Sequence, residues 1–286
     1  ELIKNTNCTV FSFQANIYCI YLCKLMNTKI IVRSNSSPTG WSKNIIKKII
    51  YKNALSIADK VVVNSHEFKK LIKSKFNVNS VCIYNPLNKN EIIKKSKTKI
   101  NLNFFQKDTL NFINVARFED QKDHRTLLKA FWKLKNKIDY RLLLVGSGSK
   151  EKFIKDFIQS KKLTNKIKII KNISNPFPYI SKSKYFILSS KYEGLPNVLL
   201  EAITLKKYII SSDCPTGPKE ILDNGKYGTL FKSENSDDLC KKLILISKKK
   251  QNLNKKILMA SKGLERFNYK KNLNNYLKLI LPFLNN

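Results

Sequence analysis

From Lys29 onward the chain alternates short β-branched apolar runs with longer stretches in which apolar residues recur every three or four positions. Such alternation is the pattern of βαβ units wound round a parallel sheet, whose doubly covered strands are nearly continuous in apolar residues. The runs predict strands over residues 30–32, 60–63, 81–84, 111–115, 141–145, 168–170, 185–187 and 208–210. The longer period predicts helices over 43–55, 67–73, 122–135, 151–161, 197–205 and 237–247. Between Asn85-Pro86 and Thr109 the pattern lapses into a Lys- and Asn-rich stretch. That lapse sets the expected boundary between two Rossmann-like halves, residues 1–100 and 101–266, in an α/β fold whose halves face across a cleft. Residues 267–284 read as an amphipathic helix with Tyr269, Leu273, Tyr276, Leu277 and Ile280 near one face, able to pack back across the junction.

Composition narrows the partners without choosing among them. The 286 residues are 42% apolar, enough for real cores, and no apolar run approaches the roughly 20 residues of a membrane-spanning helix. Membrane contact is therefore expected to be peripheral. Fifty-five Lys and Arg against 20 Asp and Glu leave a formal charge of +35. Such an excess draws a protein to anionic membranes, nucleic acids or phosphorylated substrates. A coding bias that writes Lys at every tolerant surface position accounts for it equally well. The six cysteines show no Cys-x-x-Cys or Cys/His ligand spacing, which argues against a zinc site and fits a reducing cytoplasm. The chain opens on Glu1 with no basic-then-apolar leader and reads as truncated.

Two segments carry the chemistry. In the first, Ser189-Ser190-Lys191-Tyr192-Glu193-Gly194-Leu195-Pro196-Asn197-Val198-Leu199-Leu200-Glu201-Ala202, two carboxylates bracket a loop that opens a helix. Pro196 suits the first turn, and the free N–H groups and dipole of a helix N-terminus make a seat for an anion such as a diphosphate. Glu193 and Glu201 could accept hydrogen bonds from sugar and ribose hydroxyls, or could be two solvated glutamates on an ordinary helix. In the second segment, Arg117 and Lys122 stand in the strand-to-helix loop Ala116-Arg117-Phe118-Glu119-Asp120-Gln121-Lys122. Weaker features are Val63-Asn64-Ser65, Tyr84-Asn85-Pro86, the Gly146-Ser147-Gly148 turn and the segment from Pro215 to Leu222. That turn lacks the third glycine of a dinucleotide fingerprint. No Asp-x-Asp pair occurs, and His66 and His124 have no ligand partners at regular spacing, so both are expected at the surface and no metal is expected.

Two Glu seven residues apart, with Gly-Leu-Pro-Asn after the first, resemble the E-x7-E signature of the family-4 retaining glycosyltransferases, the glycosyl transferases group 1. The segment from Phe112 to Phe131 is similar to that family's strand, G-R-L-x-x-Q-K loop and helix, with Ala116 in place of the Gly. The resemblance runs collinearly along nearly the whole chain and implies a GT-B fold whose first domain is incomplete. It implies Glu193 at the donor sugar, Glu201 at the ribose, and Arg117 and Lys122 neutralising the departing diphosphate. Gly194, Leu195, Pro196 and Asn197 would line that seat, and Asn172 and Ile173 the base. The implied reaction is metal-independent transfer of a hexose or N-acetylhexosamine from a nucleotide sugar, UDP-linked ahead of GDP-linked, with no cofactor. The acceptor would be a saccharide or lipid-linked saccharide.

The first strand and glycine-rich loop of such a fold would lie upstream of Glu1, and the family's acceptor-side histidine has no match. Ser12-Phe13-Gln14-Ala15-Asn16 occupies the comparable region, with Gln14 or Asn16 nearest. A helix carrying Lys43, Lys47, Lys48 and Lys52 could attract anionic headgroups at the cytoplasmic membrane face. Two alternatives stay open: an inactive nucleotide-sugar-binding subunit or epimerase of the same fold, and a basic nucleic-acid-binding protein. The second lacks an aromatic stacking motif, a zinc finger or an RNA-recognition signature.

Overall fold

The computed structural model describes residues 8–42, 44–248 and 253–284. Four parallel strands, β1 (Thr9–Ser12), β2 (Lys29–Ser34), β3 (Lys60–Val63) and β4 (Val81–Cys82), form a first sheet in chain order. They are joined by α1 (Asn16–Leu25), α2 (Pro38–Trp41), α3 (Ile45–Ile57) and α4 (His66–Phe76), and α5 (Lys89–Ser96) follows. The second sheet holds β5 (Leu110–Val115), β6 (Tyr140–Val145), β7 (Ile167–Ile170), β8 (Tyr185–Leu188), β9 (Tyr208–Ser212) and β10 (Thr229–Phe231), all parallel, in the order β10-β9-β8-β5-β6-β7. Its helices are α6 (His124–Leu134), α7 (Glu151–Ser160), α8 (Phe177–Lys182), α9 (Asn197–Thr204), α10 (Pro218–Ile221), α11 (Ser236–Lys248) and α12 (Leu253–Gly263). The chain closes on α13 (Tyr269–Leu284). The structural class is the expected one, α/β with two parallel sheets.

Strand periodicity explains the layering. Side chains alternate across a sheet, so a strand apolar at every position feeds two cores at once. Phe112, Leu142, Leu144, Tyr185 and Ile187 pack on one face with α6, α7 and α11. Ile113, Leu143, Val145, Phe186 and Leu188 pack on the other with α9 and α12. In the first sheet, Ile30, Val32, Val61 and Val63 face Phe68, Ile72 and Phe76 of α4. The opposite face, Ile31, Val62 and Ile83, is covered by Tyr276, Leu279, Ile280 and Phe283 of α13. The last helix thus returns to the first sheet, and the Thr9 hydroxyl donates to the Phe283 carbonyl at 3.0 Å.

Several expectations need correction. The apolar face of α13 is set by Tyr276, Leu279, Ile280 and Phe283, while Tyr269, Leu273 and Leu277 are exposed. The Lys- and Asn-rich stretch after Asn85 holds α5, and Leu87, Ile92 and Leu102 join the core of the second sheet. Strands β1 and β10 and helices α1, α2, α8, α10 and α12 lie outside the predicted elements. Helix α3 begins at Ile45, and Lys43, like Glu1, lies outside the described residues.

Candidate active site

The second sheet changes direction between β5 and β8: the chain runs outward through β6 and β7, then returns beside β5. Loops leaving the carboxyl ends of two such strands diverge and leave a crevice between them. Arg117 follows β5 and Glu193 follows β8, so the topology brings the two sequence segments together.

The loop after β5 is held in detail. Ala116 donates its N–H to the Val145 carbonyl at 3.1 Å, and Gly146, with φ of 154°, lies so close to the Ala116 carbonyl that a side chain at 146 would overlap it. A short 3-10 turn over Asp120–Lys122 then presents Lys122. Asp123, left-handed at φ 47°, ends that turn and caps α6 by accepting from Thr126 N at 3.1 Å. Gln121 Nε2 donates to the Tyr192 carbonyl at 2.9 Å, and Ser189 Oγ donates to the Lys122 carbonyl at 2.8 Å. Lys122 Nζ meets Glu193 Oε1 at 2.6 Å, with their side chains 16% and 8% exposed.

The Glu193 backbone is gripped from three directions. Its N–H donates to the Pro215 carbonyl at 3.2 Å, its carbonyl accepts from Ser37 N at 2.9 Å, and the same carbonyl accepts from the Thr216 hydroxyl. Gly194 presses on the Asn35 carbonyl so closely that a Cβ there would collide with backbone. Pro196 stands at the N-cap of α9, which opens at Asn197 as the spacing predicts.

A cleft of about 600 Å³ opens between the sheets. The loops after β5 and β8 supply Arg117, Lys122, Glu193, Leu195, Pro196 and Asn197, and the carboxyl ends of β2, β3 and β4 supply Arg33, Asn35, Asn64 and Asn85. Three cations face one carboxylate, so the cleft favours an anionic occupant. Arg33 Nη2 donates to Asn85 Oδ1, and Asn85 Nδ2 in turn donates to Asn197 Oδ1 and to the Leu195 carbonyl, a polar chain crossing from one half to the other. Among the described residues, Arg33 Nε and Asn64 Oδ1 are buried without a hydrogen-bond partner. Arg33 and Asn35 are not singled out by the sequence pattern, and Asn64 and Asn85 belong to tripeptides that are weak on their own. Their common signal is position, at or just beyond the carboxyl end of a parallel strand.

Gly194 is buried and does not line the cleft, though its neighbours Glu193 and Leu195 do. Glu201 lies one helical turn beyond Asn197 in α9, and Asn172 and Ile173 follow β7; none of the three lines the cleft itself. Burial raises the pKa of Glu201. Asn172 is left-handed at φ 54°, and Gly146 N–H donates to the Ile170 carbonyl at 3.0 Å, which sets the β7 loop beside the Gly146 turn.

His124 is not a surface residue. It is buried against the edge of Phe118, its Nε2 lies 3.1 Å from Asn114 Oδ1, and burial followed by the nearby Lys122 charge lowers its pKa to about 4. His66 is exposed. Among the described residues no three His, Cys, Asp or Glu side chains gather as a metal would require.

Residues 94–264 match the family model of the glycosyl transferases group 1. The chain belongs to that family. It is 32% identical over 230 residues to an uncharacterized glycosyltransferase of Methanocaldococcus jannaschii, covering 72% of this chain and 56% of that protein. It is 24% identical over 220 residues to the N-acetylgalactosamine-N,N'-diacetylbacillosaminyl-diphospho-undecaprenol 4-alpha-N-acetylgalactosaminyltransferase of Campylobacter jejuni, covering 74% and 58%. The chain therefore spans a little over half the length of these relatives. The structure of Anabaena HepE in complex with UDP superposes with a TM-score of 0.82 at 15% identity, over 98% of this chain and 81% of that one. The fold is thus that of the GT-B members of the group 1 family.

Proposed function

We propose that the chain is the donor-binding part, with a portion of the acceptor side, of an enzyme that transfers a hexose or N-acetylhexosamine from a nucleotide sugar with retention of configuration. The observation that carries this reading is the Lys122–Glu193 pair at 2.6 Å in a cationic cleft at the carboxyl ends of both sheets. In this reading residues 1–100 form the acceptor side, 101–266 the donor side, and 267–286 the closing segment. UDP is the preferred nucleotide, consistent with its presence in the HepE complex. The acceptor is a saccharide or lipid-linked saccharide of a cell-surface polysaccharide or lipopolysaccharide, handled at the cytoplasmic side.

Arg117 and Lys122 bind the diphosphate, the guanidinium through a planar fork and the ammonium as a point charge, without a metal ion. Leu195, Pro196 and Asn197 seat it at the N-terminus of α9. As phosphate oxygens draw Lys122 away, the Glu193 carboxylate is released to accept hydrogen bonds from the sugar. Glu201 binds the ribose. Asn172 and Ile173 stand two strands from β5, about 10 Å away at the usual strand spacing, a distance that suits the base. The acceptor hydroxyl attacks the anomeric carbon on the face from which the diphosphate departs. The new carbon–oxygen bond forms as the carbon–phosphate-oxygen bond breaks, and the acceptor proton passes to the leaving phosphate oxygen. No protein nucleophile is consumed, and the cations stabilise charge that grows only as the bond breaks.

Thermal unfolding with UDP, GDP and their sugars, with chelator present, tests the donor site. Stabilisation by UDP ligands that survives chelator and is lost in Arg117→Ala/Lys122→Ala supports the reading. No stabilisation by any nucleotide refutes it.

A further inference from the structure

The loop between β9 and α10, ending at Gly217, is the support beneath Glu193. Glu193 N–H donates to the Pro215 carbonyl at 3.2 Å, the buried Thr216 hydroxyl donates to the Glu193 carbonyl, and Gly217 lies against the Gly194 carbonyl and Pro196. Thr216 and Gly217 are both left-handed, at φ 64° and 90°. A β-branched residue takes that conformation only where its surroundings impose it. Part of what imposes it comes from the other half of the molecule. Gly217 N–H donates to Glu67 Oε2 of α4 at 2.9 Å. In return, Glu220 of α10 reaches the first turn of α4. Its Oε1 accepts from His66 N at 3.0 Å and from the Tyr84 hydroxyl at 2.6 Å, and its Oε2 accepts from Glu67 N at 2.9 Å. Each half thus sets a carboxylate on main-chain donors of the other.

Two neighbouring carboxylates are an unfavourable way merely to join two halves. Burial raises the Glu67 pKa, the Gly217 N–H opposes that rise, and the Glu220 charge adds to it. Lys219, beside Glu220 in the chain, pairs with Asp213 at 3.9 Å, and among the described residues no lysine or arginine forms an ion pair with either carboxylate. Apolar side chains of similar volume would join the halves with less desolvation. Carboxylates on N–H groups fix direction and distance instead, and what they fix is the loop under Glu193. These bonds exist only while the halves meet. We propose that Glu67 and Glu220 are positioning residues for Glu193, exchanging bonds across the junction so that the Glu193 carboxylate is set for the donor sugar only when the cleft is closed. The role of Glu193 at the sugar rests on the transferase reading; the support of its loop does not.

Hydrogen exchange of the ligand-free chain, resolved to single amides, tests the support without donor or acceptor. Glu67→Ala removes the bond to Gly217 and touches no atom of Glu193. The Glu193 amide should nevertheless exchange about 10-fold faster, the scale of one hydrogen bond to a charged group, while the amides of β5 and β6 keep their rates. Glu67→Leu, which keeps the side-chain volume, should behave alike, and Glu67→Gln, whose side-chain carbonyl still accepts, should restore slow exchange. Titration calorimetry with UDP, UDP-glucose, UDP-galactose and their N-acetylhexosamine counterparts forms the second arm. Glu67→Ala should leave UDP affinity unchanged and lower the affinity of the preferred UDP-sugar about 10-fold. Unchanged exchange at Glu193 in Glu67→Ala and Glu67→Leu would overturn the proposal. So would absence of rescue by Glu67→Gln, or equal losses of UDP and UDP-sugar affinity. An unaltered chain that binds no nucleotide refutes the transferase reading and the sugar part of the proposal with it, and the exchange rates still decide the support of the loop.

Discussion

Replacing Lys122 by Met keeps the length of the side chain and removes its charge, leaving the Glu193 carboxylate, 6% exposed overall, without its cation. Breaking one side of a buried pair costs about 3–5 kcal/mol, because the remaining charge stays desolvated. At 16% and 8% side-chain exposure, the lower end applies, about 3 kcal/mol. For a chain of this size that is a drop in Tm of roughly 5 °C. Adding Glu193→Gln to Lys122→Met removes the stranded charge and should return about 2 kcal/mol. The pair is then measured as a coupling energy, free of whatever each residue does alone. Urea unfolding of the four proteins of this cycle, followed by circular dichroism, reads it directly. If the double variant is no more stable than Lys122→Met, and coupling is below about 0.5 kcal/mol as at a solvated surface pair, the pair is not the electrostatic centre of the cleft.

Gly194→Ala should lower stability by about 1–3 kcal/mol and abolish nucleotide binding, since its Cβ meets the Asn35 backbone and neither partner is a flexible side-chain end; calorimetry and ligand-induced Tm shifts check both. Glu201→Gln should weaken UDP binding while leaving Tm unchanged or slightly raised, because burial already disfavours its charged form; titration calorimetry separates the two effects. His124 has a folded pKa near 4, below its unfolded value near 6.5, so the unfolded chain takes up the proton first as pH falls. Its contribution is whole above pH 6.5 and is lost towards pH 4, about 2 kcal/mol between pH 7 and 5. In His124→Gln that part of the pH dependence should vanish, and an unchanged slope would count against a neutral buried imidazole.

The central strands were legible because both their faces are buried, which leaves uninterrupted apolar runs such as Leu142-Leu143-Leu144-Val145. The edge strand Thr229–Phe231 is only three residues long, and Thr9–Ser12 is half polar, so neither leaves such a run. Helix α5 buries Ile92 alone and turns its lysines to solvent, which imitates a linker. In α13 apolar residues occur on more than one side, and the sheet face, not the helix, selects Tyr276, Leu279, Ile280 and Phe283. Lys122 and Glu193 could be singled out because each stands in a loop that opens a helix. His124 looked solvated beside Lys122 because the residues that bury it, Asn114 and Phe118, close on it only in three dimensions. Arg33 reaches the cleft from a strand the sequence reveals, but its approach to Asn85 depends on how β2 and β4 lie beside β3.

The return of α13 to the first sheet means that the backbone passes between the halves twice, once after β4 and once after Phe267. The two passages run side by side, with the Leu87 N–H donating to the Phe267 carbonyl at 2.9 Å and a bridge from Leu87 to Asn268. They act as the spine of a book. Any opening of the cleft would have to bend the chain at these two adjacent straps and break the bonds that cross it, such as the Ser37 N–H to the Glu193 carbonyl and the Gly217 N–H to the Glu67 carboxylate.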